Sequence, residues 1–238
     1  MKTYIYTTAV DTARALIERL IRLMNEDENK IYHFAFSGGS TPSLMFDLWA
    51  NEYKESTPWE RMRVFWVDER CVPCDDSESN CGTMRRLLLD HVPISKESIF
   101  PIDGTNIPAE EAKRYSNVVC GKVPLWRNRP FFDAVMLGAG EDGHTSSIFP
   151  GQEHLLASTE PYEASRNPYN GQWRIAMTGN ALFNAKKLIF LITGKSKMNV
   201  VHDITVSGDM GPAAYVAHHG WNVELFLDDL AVGSDGKI

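Results

Sequence analysis

Short runs of consecutive apolar residues recur along this chain of 238 residues, and most show no alternation of apolar and polar positions. Strands of this kind are typical of a parallel sheet whose two faces are both covered. Helical patterns fall between the runs, as in repeated βαβ units. We therefore predict a three-layer α/β fold with a mostly parallel, doubly wound sheet and helices on both faces. The predicted strands span residues 3–9, 31–36, 63–67, 99–102, 134–137, 173–178, 187–193 and 223–227.

The first helix has the clearest amphipathic pattern, and Asp11 or Thr12 is its predicted N-cap. Its expected buried face consists of Ala13, Leu16, Ile17, Leu20, Leu23 and Met24. Further helices are predicted over residues 43–53, 82–89, 109–119, 179–185, 198–206 and 213–218. Segment 151–171 lacks periodicity, which favours an active-site rim or a hairpin. Because no repeat or linker interrupts the sequence, we expect residues 1–238 to form one domain.

Charge and hydropathy limit the expected partners. The formal net charge is −7 and no basic tract is present, which argues against binding to nucleic acid. No apolar run approaches the length of a membrane span. Residues 1–20 lack the uninterrupted apolar core of a secretory signal, so we expect a cytoplasmic protein with no membrane partner. An acidic chain that binds an anionic metabolite must concentrate its few cations locally, which gives weight to lysines and arginines beside glycine-rich turns.

The cysteines offer one short motif. Cys71 and Cys74 form a CxxC, a pattern found in redox sites and in half of a zinc site. No second CxxC or HxxxH follows at metal-ligand spacing. We therefore predict reduced thiols and no metal site.

A glycine-rich turn follows the second predicted strand. Gly38 and Gly39 allow a tight turn with exposed N–H groups, and Ser40 and Thr41 add hydroxyl groups. Pro42 is typical of the first turn of a helix. A helix that begins here directs partial positive charge at the turn, which favours an anion, most plausibly phosphate. An ordinary capped βα turn is the alternative, and no nucleotide P-loop is present.

A second glycine-rich turn follows the strand at 134–137. Gly138, Gly140 and Gly143 match GxGxxG, so a dinucleotide site is one interpretation. Acidic residues 141 and 142 oppose it, because they stand where a pyrophosphate would lie. The same turn carries His144, a candidate general base in a backbone suited to close approach by a ligand.

The successive motifs of the chain resemble those of the 6-phosphogluconolactonase family, in that family's order and at its spacing. The central block, G-x-G-x-D-G-H-T-x-S-x-F-P-G, is the most specific, and the resemblance covers nearly the whole chain. The motifs are SGGSTP (37–42), VDERCVP (67–73), SN (79–80), LGAGEDGHTSSIFPG (137–151), RIAMT (174–178) and GKSK (194–197). The resemblance implies a ribose-5-phosphate-isomerase-like α/β fold of the kind that glucosamine-6-phosphate deaminase also has.

Two other functions compete with lactone hydrolysis. The deaminase pattern has Asp-Glu-Tyr where this chain has Asp68-Glu69-Arg70, and it has a glutamate where this chain has Phe149. A non-catalytic sugar-phosphate sensor would be expected to lose His144 or Arg70, and both are present. The resemblance therefore favours the lactonase.

Hydrolysis of 6-phospho-D-glucono-1,5-lactone to 6-phospho-D-gluconate, a step of the oxidative pentose phosphate pathway, is the activity that the resemblance implies. It implies no cofactor, and we expect a monomer or a weak homo-oligomer. His144 would activate water, Asp142 would orient the imidazole or the ligand, and Arg70 would stabilise the oxyanion or hold the substrate. The implied catalytic residues are His144, Asp142, Arg70 and Asp68, and the implied phosphate-binding residues are Gly38, Gly39, Ser40, Thr41, Arg174 and Lys197.

Overall fold

A computed structural model of the chain describes residues 1–207 and 211–233. Its strands are β1 (Lys2–Tyr6), β2 (Tyr32–Phe36), β3 (Met62–Trp66), β4 (Asp68–Arg70), β5 (Leu125–Trp126), β6 (Arg129–Pro130), β7 (Ala134–Leu137), β8 (Tyr162–Arg166), β9 (Trp173–Met177), β10 (Leu188–Ile192) and β11 (Val223–Asp228). Its helices are α1 (Ala9–Met24), α2 (Ser40–Glu52), α3 (Asn80–Met84), α4 (Pro108–Lys122), α5 (Gly179–Leu182), α6 (Met198–His202), α7 (Gly211–His219) and α8 (Asp229–Val232). One turn of π-helix continues α3 over Arg85–Leu89, and another continues α6 over Asp203–Ser207.

A six-stranded sheet forms the centre of the fold, in the order β1-β11-β10-β7-β2-β3. Every neighbouring pair in it is parallel. All residues of β2, β7, β10 and β11 are buried, which requires cover on both faces of the sheet. The predicted three-layer α/β fold with helices on both faces is confirmed.

The predicted apolar face of α1 is confirmed, since all six of its residues are buried. The predicted N-cap is wrong. Thr8 caps the helix by accepting a 3.1 Å hydrogen bond from the backbone N–H of Asp11. The side chain of Asp11 accepts in turn from the Thr8 hydroxyl at 2.6 Å. Several capping-type side chains lie within five residues here, and only the geometry of the turn chooses among them.

A second, antiparallel sheet has the order β4-β9-β8. The predicted strand at 173–178 therefore exists as β9, but it does not belong to the parallel sheet. Segment 151–171 contains β8, which pairs with β9 as a hairpin. A hairpin was one of the two structures expected for this segment. The strand predicted at 99–102 is wrong, because only Ile99 pairs, through an isolated bridge to Val64.

A buried ion cluster lies at the amino-terminal end of the parallel sheet, where β10 and β11 begin. Glu224 has only 2% of its side chain exposed. It accepts two hydrogen bonds of 3.0 Å from the guanidinium of Arg19 and one of 3.0 Å from the ammonium of Lys187. Although burial raises the pKa of Glu224, these two cations outweigh that effect and lower it. Within the described part of the chain, no helix is long and apolar enough to cross a membrane.

Candidate functional site

Four neighbouring strands of the parallel sheet, β10, β7, β2 and β3, end at the same edge. The segments that follow them line a cavity of about 250 Å³. Parallel α/β sheets bind ligands at this edge, where consecutive strands lead to opposite faces. Every residue that the sequence predicted for the site lines this cavity except Asp142, which lies behind His144.

The turn after β2 forms one wall of the cavity. Gly39 precedes α2 with a φ of 115°, a left-handed conformation that favours glycine. The first turn of α2 contains no acidic residue, so its free N–H groups face the cavity without a competing charge. The hydroxyl oxygens of Thr41 and Thr193 lie 2.9 Å apart and join this turn to the end of β10. This wall has the features of an anion-binding helix N-terminus.

Asn80 closes the same wall, and sequence reasoning did not assign it to the site. Its side-chain amide donates a 2.9 Å hydrogen bond to the carbonyl of Asp68. Its Oδ1 would lie 1.9 Å from a Cβ placed on residue 38, so Gly38 is required by the close approach of Asn80. The Ser-Asn motif was visible in the sequence, but the contact spans more than forty residues and no local pattern predicts it.

The glycine-rich turn after β7 presents a carboxylate–imidazole pair. Oδ1 of Asp142 lies 2.5 Å from Nδ1 of His144 and also accepts a 3.2 Å hydrogen bond from the backbone N–H of His144. A Cβ at residue 140 would lie 2.1 Å from His144 Nδ1 and 2.4 Å from Asp142 Oδ1. Gly140 is thus needed to leave room for the pair. Gly143 has a φ of 83°, and its N–H donates to the carbonyl of Gly140 at 3.0 Å.

The electrostatics of this pair favour one tautomer of His144. Partial burial raises the pKa of Asp142, but the charge of His144, the neighbouring Tyr169 and the hydrogen bonds from His144 outweigh it, so the net pKa is lowered. An ionised carboxylate can only accept, so Nδ1 of His144 carries the proton and Nε2 keeps a lone pair. About a third of the His144 side chain (35%) is exposed. The imidazole can therefore act as a base toward a ligand in the cavity.

Tyr169 is a second residue that the sequence did not predict. It lies in the turn of the β8–β9 hairpin, and its ring meets the ring of Phe149 edge-on at 6.4 Å. The ring of Phe149 in turn packs 4.7 Å from that of His144. The neighbouring carboxylate of Asp142 raises the pKa of the Tyr169 hydroxyl. The hairpin thus reaches the carboxylate–imidazole pair, although nothing in the irregular sequence of 151–171 indicates which residue would do so.

A tight turn joins the imidazole to the antiparallel sheet. Ser146 and Ser147 have φ values of 53° and 54°, which are uncommon for residues other than glycine. The Ser146 hydroxyl donates to the carbonyl of Met177 at 2.8 Å, and the Ser147 hydroxyl donates to the carboxylate of Asp68 at 2.5 Å. The Ser146 hydroxyl is thus bonded to backbone carbonyl oxygen rather than to a base, which makes it a poor nucleophile.

Two arginines of the antiparallel sheet also line the cavity. Arg70 on β4 and Arg174 on β9 are direct partners in the antiparallel register. Burial, and next the positive charge of Arg70, lower the pKa of Arg174. Within the described residues, Nε of each arginine is buried without a hydrogen-bond partner. Like charges placed directly opposite each other destabilise a sheet, so this arrangement is suited to an anionic or oxyanionic ligand.

The two lysines after β10 differ in position. Lys197 lies on the rim of the cavity and is half-buried, whereas Lys195 is exposed and lies outside the lining residues. A 3.0 Å hydrogen bond from the backbone N–H of Lys197 to the carbonyl of Gly194 holds this turn. The ammonium group of Lys197 adds positive charge on the side of the cavity formed by the end of β10.

Cys74 contacts a cysteine outside the CxxC motif. The sulfur of Cys74 lies 3.3 Å from that of Cys81, with both thiols free. Burial raises the pKa of Cys81 to about 12. Among the described residues, no group of three or more His, Cys, Asp or Glu side chains is arranged to hold a metal ion.

Fold and site together define a class: an α/β protein with an imidazole–carboxylate pair and an anion-binding turn at the carboxyl edge of a parallel sheet. The family model described as glucosamine-6-phosphate isomerases/6-phosphogluconolactonase matches residues 7–225. The chain therefore belongs to this family.

Individual relatives agree with this assignment. A 6-phosphogluconolactonase of Treponema pallidum is 34% identical, covering 94% of this chain and 90% of the relative. A 6-phosphogluconolactonase of Haemophilus influenzae is 36% identical, covering 86% of this chain and 88% of the relative. Among solved structures, the crystal structure of devB protein is 32% identical with a TM-score of 0.91, covering 97% of each chain.

Proposed function

We propose that this protein is an enzyme that hydrolyses 6-phospho-D-glucono-1,5-lactone to 6-phospho-D-gluconate, a step of the oxidative pentose phosphate pathway. The observation that carries the proposal is the Asp142–His144 pair, 2.5 Å apart, on a cavity that also contains the helix N-terminus at Gly39. The first supplies a base and the second an anion site. The names of the relatives, 6-phosphogluconolactonases, support the same substrate.

Catalysis begins at Nε2 of His144. This atom takes a proton from a water molecule whose oxygen attacks C1 of the lactone. Asp142 holds the imidazole in the tautomer that leaves Nε2 basic, and it stabilises the imidazolium that forms. Arg70 stabilises the negative charge that develops on the carbonyl oxygen, a contribution of about 3 kcal/mol for a well-placed donor.

Ring opening follows from the tetrahedral intermediate. The bond between C1 and the ring oxygen breaks, and the imidazolium of His144 returns its proton to that oxygen. The products are the C1 carboxylic acid, which ionises, and a C5 hydroxyl group. Asp68 accepts from Ser147 at 2.5 Å, so it keeps the β4 strand and its neighbour Arg70 joined to the turn that carries His144.

The phosphate group is assigned to the turn that begins α2. The turn of Gly38, Gly39, Ser40 and Thr41 supplies N–H and hydroxyl donors, and Lys197 supplies charge. Arg174 adds positive charge from the side of Arg70, because the two are register partners. In a chain of net charge −7, these cations localise the attraction for an anionic substrate.

Deamination of glucosamine 6-phosphate is the competing activity within the family. Phe149 packs its ring 4.7 Å from the imidazole, at the position where the deaminase pattern has a glutamate. An apolar ring cannot relay protons, which favours hydrolysis.

One experiment separates these activities. Proton release is measured with freshly generated 6-phosphogluconolactone, and ammonia release with glucosamine 6-phosphate, on the same preparation. We expect rapid proton release above the spontaneous rate and no ammonia. Ammonia release without lactone hydrolysis would contradict the proposal.

We also propose a cytoplasmic location, one domain, and a monomer or weak homo-oligomer. Phosphorylated sugars are charged and do not cross membranes freely, so an enzyme that uses them is expected where they are made. Light scattering during gel filtration tests the oligomeric state.

A further inference from the structure

Glu69 is a buried acid in the middle of β4. The residues on either side of it, Asp68 and Arg70, both line the cavity. Successive side chains of a strand point to opposite faces, so Glu69 points away from the cavity into the protein. Only 1% of its surface is exposed. An ionised carboxylate in this position requires compensating hydrogen bonds.

Four donors meet the carboxylate of Glu69. The backbone N–H groups of Arg70 and Asn80 donate to Oε1 at 2.7 and 2.8 Å. The backbone N–H of Cys81 and the hydroxyl of Ser79 donate to Oε2 at 2.7 and 3.1 Å. Burial raises the pKa of Glu69 in spite of the three backbone hydrogen bonds. This one side chain therefore joins β4 to the segment that begins α3.

The segment held in this way contributes directly to the cavity. Asn80 packs against Gly38 and donates to the carbonyl of Asp68 at 2.9 Å. The guanidinium of Arg70 donates to the carbonyl of Glu78. Both Arg70 and Asn80 thus depend on the spacing between β4 and residues 78–81, and Glu69 sets that spacing from behind.

We infer that Glu69 is a positioning residue that holds Arg70 and Asn80 in their places on the cavity wall. The inference rests on the proposed lactone hydrolysis. Its role is exerted through these two residues, because Glu69 itself does not reach the cavity. Displacement of Arg70 by a fraction of a bond length would weaken its contact with the oxyanion, while the phosphate turn at Gly39–Thr41 and Lys197 would remain.

The test is Glu69→Gln. The glutamine side chain keeps one oxygen, which can accept from two of the four donors. Its NH₂ group faces the other two donors, and at least one of these is a backbone N–H, which cannot accept a hydrogen bond. We expect kcat for the phosphorylated lactone to fall by about 10- to 100-fold, with KM changed less than kcat. Inhibition by inorganic phosphate, which probes the anion-binding part of the cavity, should stay within about twofold of wild type, because the turn at Gly39–Thr41 and Lys197 is untouched.

Glu111→Gln is the matched control. Glu111 is equally buried at 1% exposure and accepts from the backbone N–H of Asp103 at 2.7 Å, and also from Asn106 and Arg114. It lies outside the cavity lining. Both variants should have a lower thermal midpoint, but only Glu69→Gln should lower kcat at a temperature where each is folded.

The outcomes separate the two proposals. If the wild-type protein does not hydrolyse the lactone, the proposed function fails. If it does, and Glu69→Gln retains wild-type kcat or loses no more than Glu111→Gln, the positioning role is wrong. Should Glu69→Gln not fold, Ser79→Ala leaves the carboxylate and removes one of its donors, together with the cap that the Ser79 hydroxyl gives to the N–H of Gly82 at 3.0 Å. It should lower kcat severalfold with an unchanged phosphate inhibition constant, and an unchanged kcat would overturn the inference.

Discussion

Nδ1 of His144 lies 2.5 Å from Oδ1 of Asp142, and this approach occupies the space that a side chain at residue 140 would need. The glycine-rich turn is therefore shaped by the carboxylate–imidazole pair and not by a nucleotide. The match to GxGxxG has a different physical origin in this chain: Gly140 provides volume, and Gly143 provides a left-handed turn.

Gly140→Ala tests this origin. The new Cβ would lie 2.1 Å from the imidazole, so the pair must separate. We expect lactone turnover to fall by about 100-fold, measured by proton release. Gly121→Ala is the control, because a Cβ there meets nothing within 4 Å on helix α4. It should keep full activity and gain about 0.5 kcal/mol of stability. Equal activity in the two variants would contradict the steric explanation.

Asp142→Asn tests the electrostatic part of the pair. The amide is close to the shape of the carboxylate, but it is neutral and no longer enforces the tautomer with a basic Nε2. We expect kcat to fall about 100-fold or more with little change in KM. Glu141→Gln removes an exposed acid one residue earlier and should leave kcat unchanged. If Asp142→Asn kept more than half of the wild-type kcat, the orienting role would be wrong.

Lys197→Ala tests the phosphate end of the cavity. Loss of one charged contact should raise KM for 6-phosphogluconolactone about tenfold or more, with a smaller change in kcat. KM for the unphosphorylated lactone should change little. Lys195→Ala, an exposed lysine outside the cavity lining, should affect neither substrate. An equal effect of Lys197→Ala on both lactones would remove its role at the phosphate.

Glu224→Gln tests the ion cluster at the other end of the sheet. It leaves Arg19 and Lys187 without their buried partner, so the free energy of unfolding should fall by about 3 kcal/mol at pH 7. The folded-state pKa of Glu224 is lowered from its ordinary value of 4.5. Its contribution is thus complete above pH 4.5 and is lost as the pH falls through the lower, folded-state pKa. Urea unfolding at several pH values should show the difference between variant and wild type shrink below pH 4.5.

Glu52→Gln is the control for that measurement. Glu52 also accepts two hydrogen bonds from an arginine, Arg14, but on the exposed surface. Water already solvates both partners there, so we expect little change in stability. A comparable loss in both variants would show that burial does not determine the strength of the Glu224 cluster.

The parallel sheet was predictable because buried strands have continuous apolar runs, as in 134–137 and 187–193. The antiparallel β4-β9-β8 sheet was not, because Asp68–Arg70 is short and charged and looks like a solvated turn. For the site, Gly39 and His144 could be recognised from local chemistry. Asn80 and Tyr169 could not, since each acts through a contact with a segment that is distant in the sequence.

Turnover of 6-phosphogluconolactone by His144→Ala tests the central claim most directly. The variant should bind 6-phosphogluconate as wild type does, because the phosphate turn at Gly39 and Lys197 is untouched. Its kcat should be lower by about 100-fold or more, since His144 is the only histidine among the described residues that line the cavity. Nearly full turnover by this variant would contradict the account.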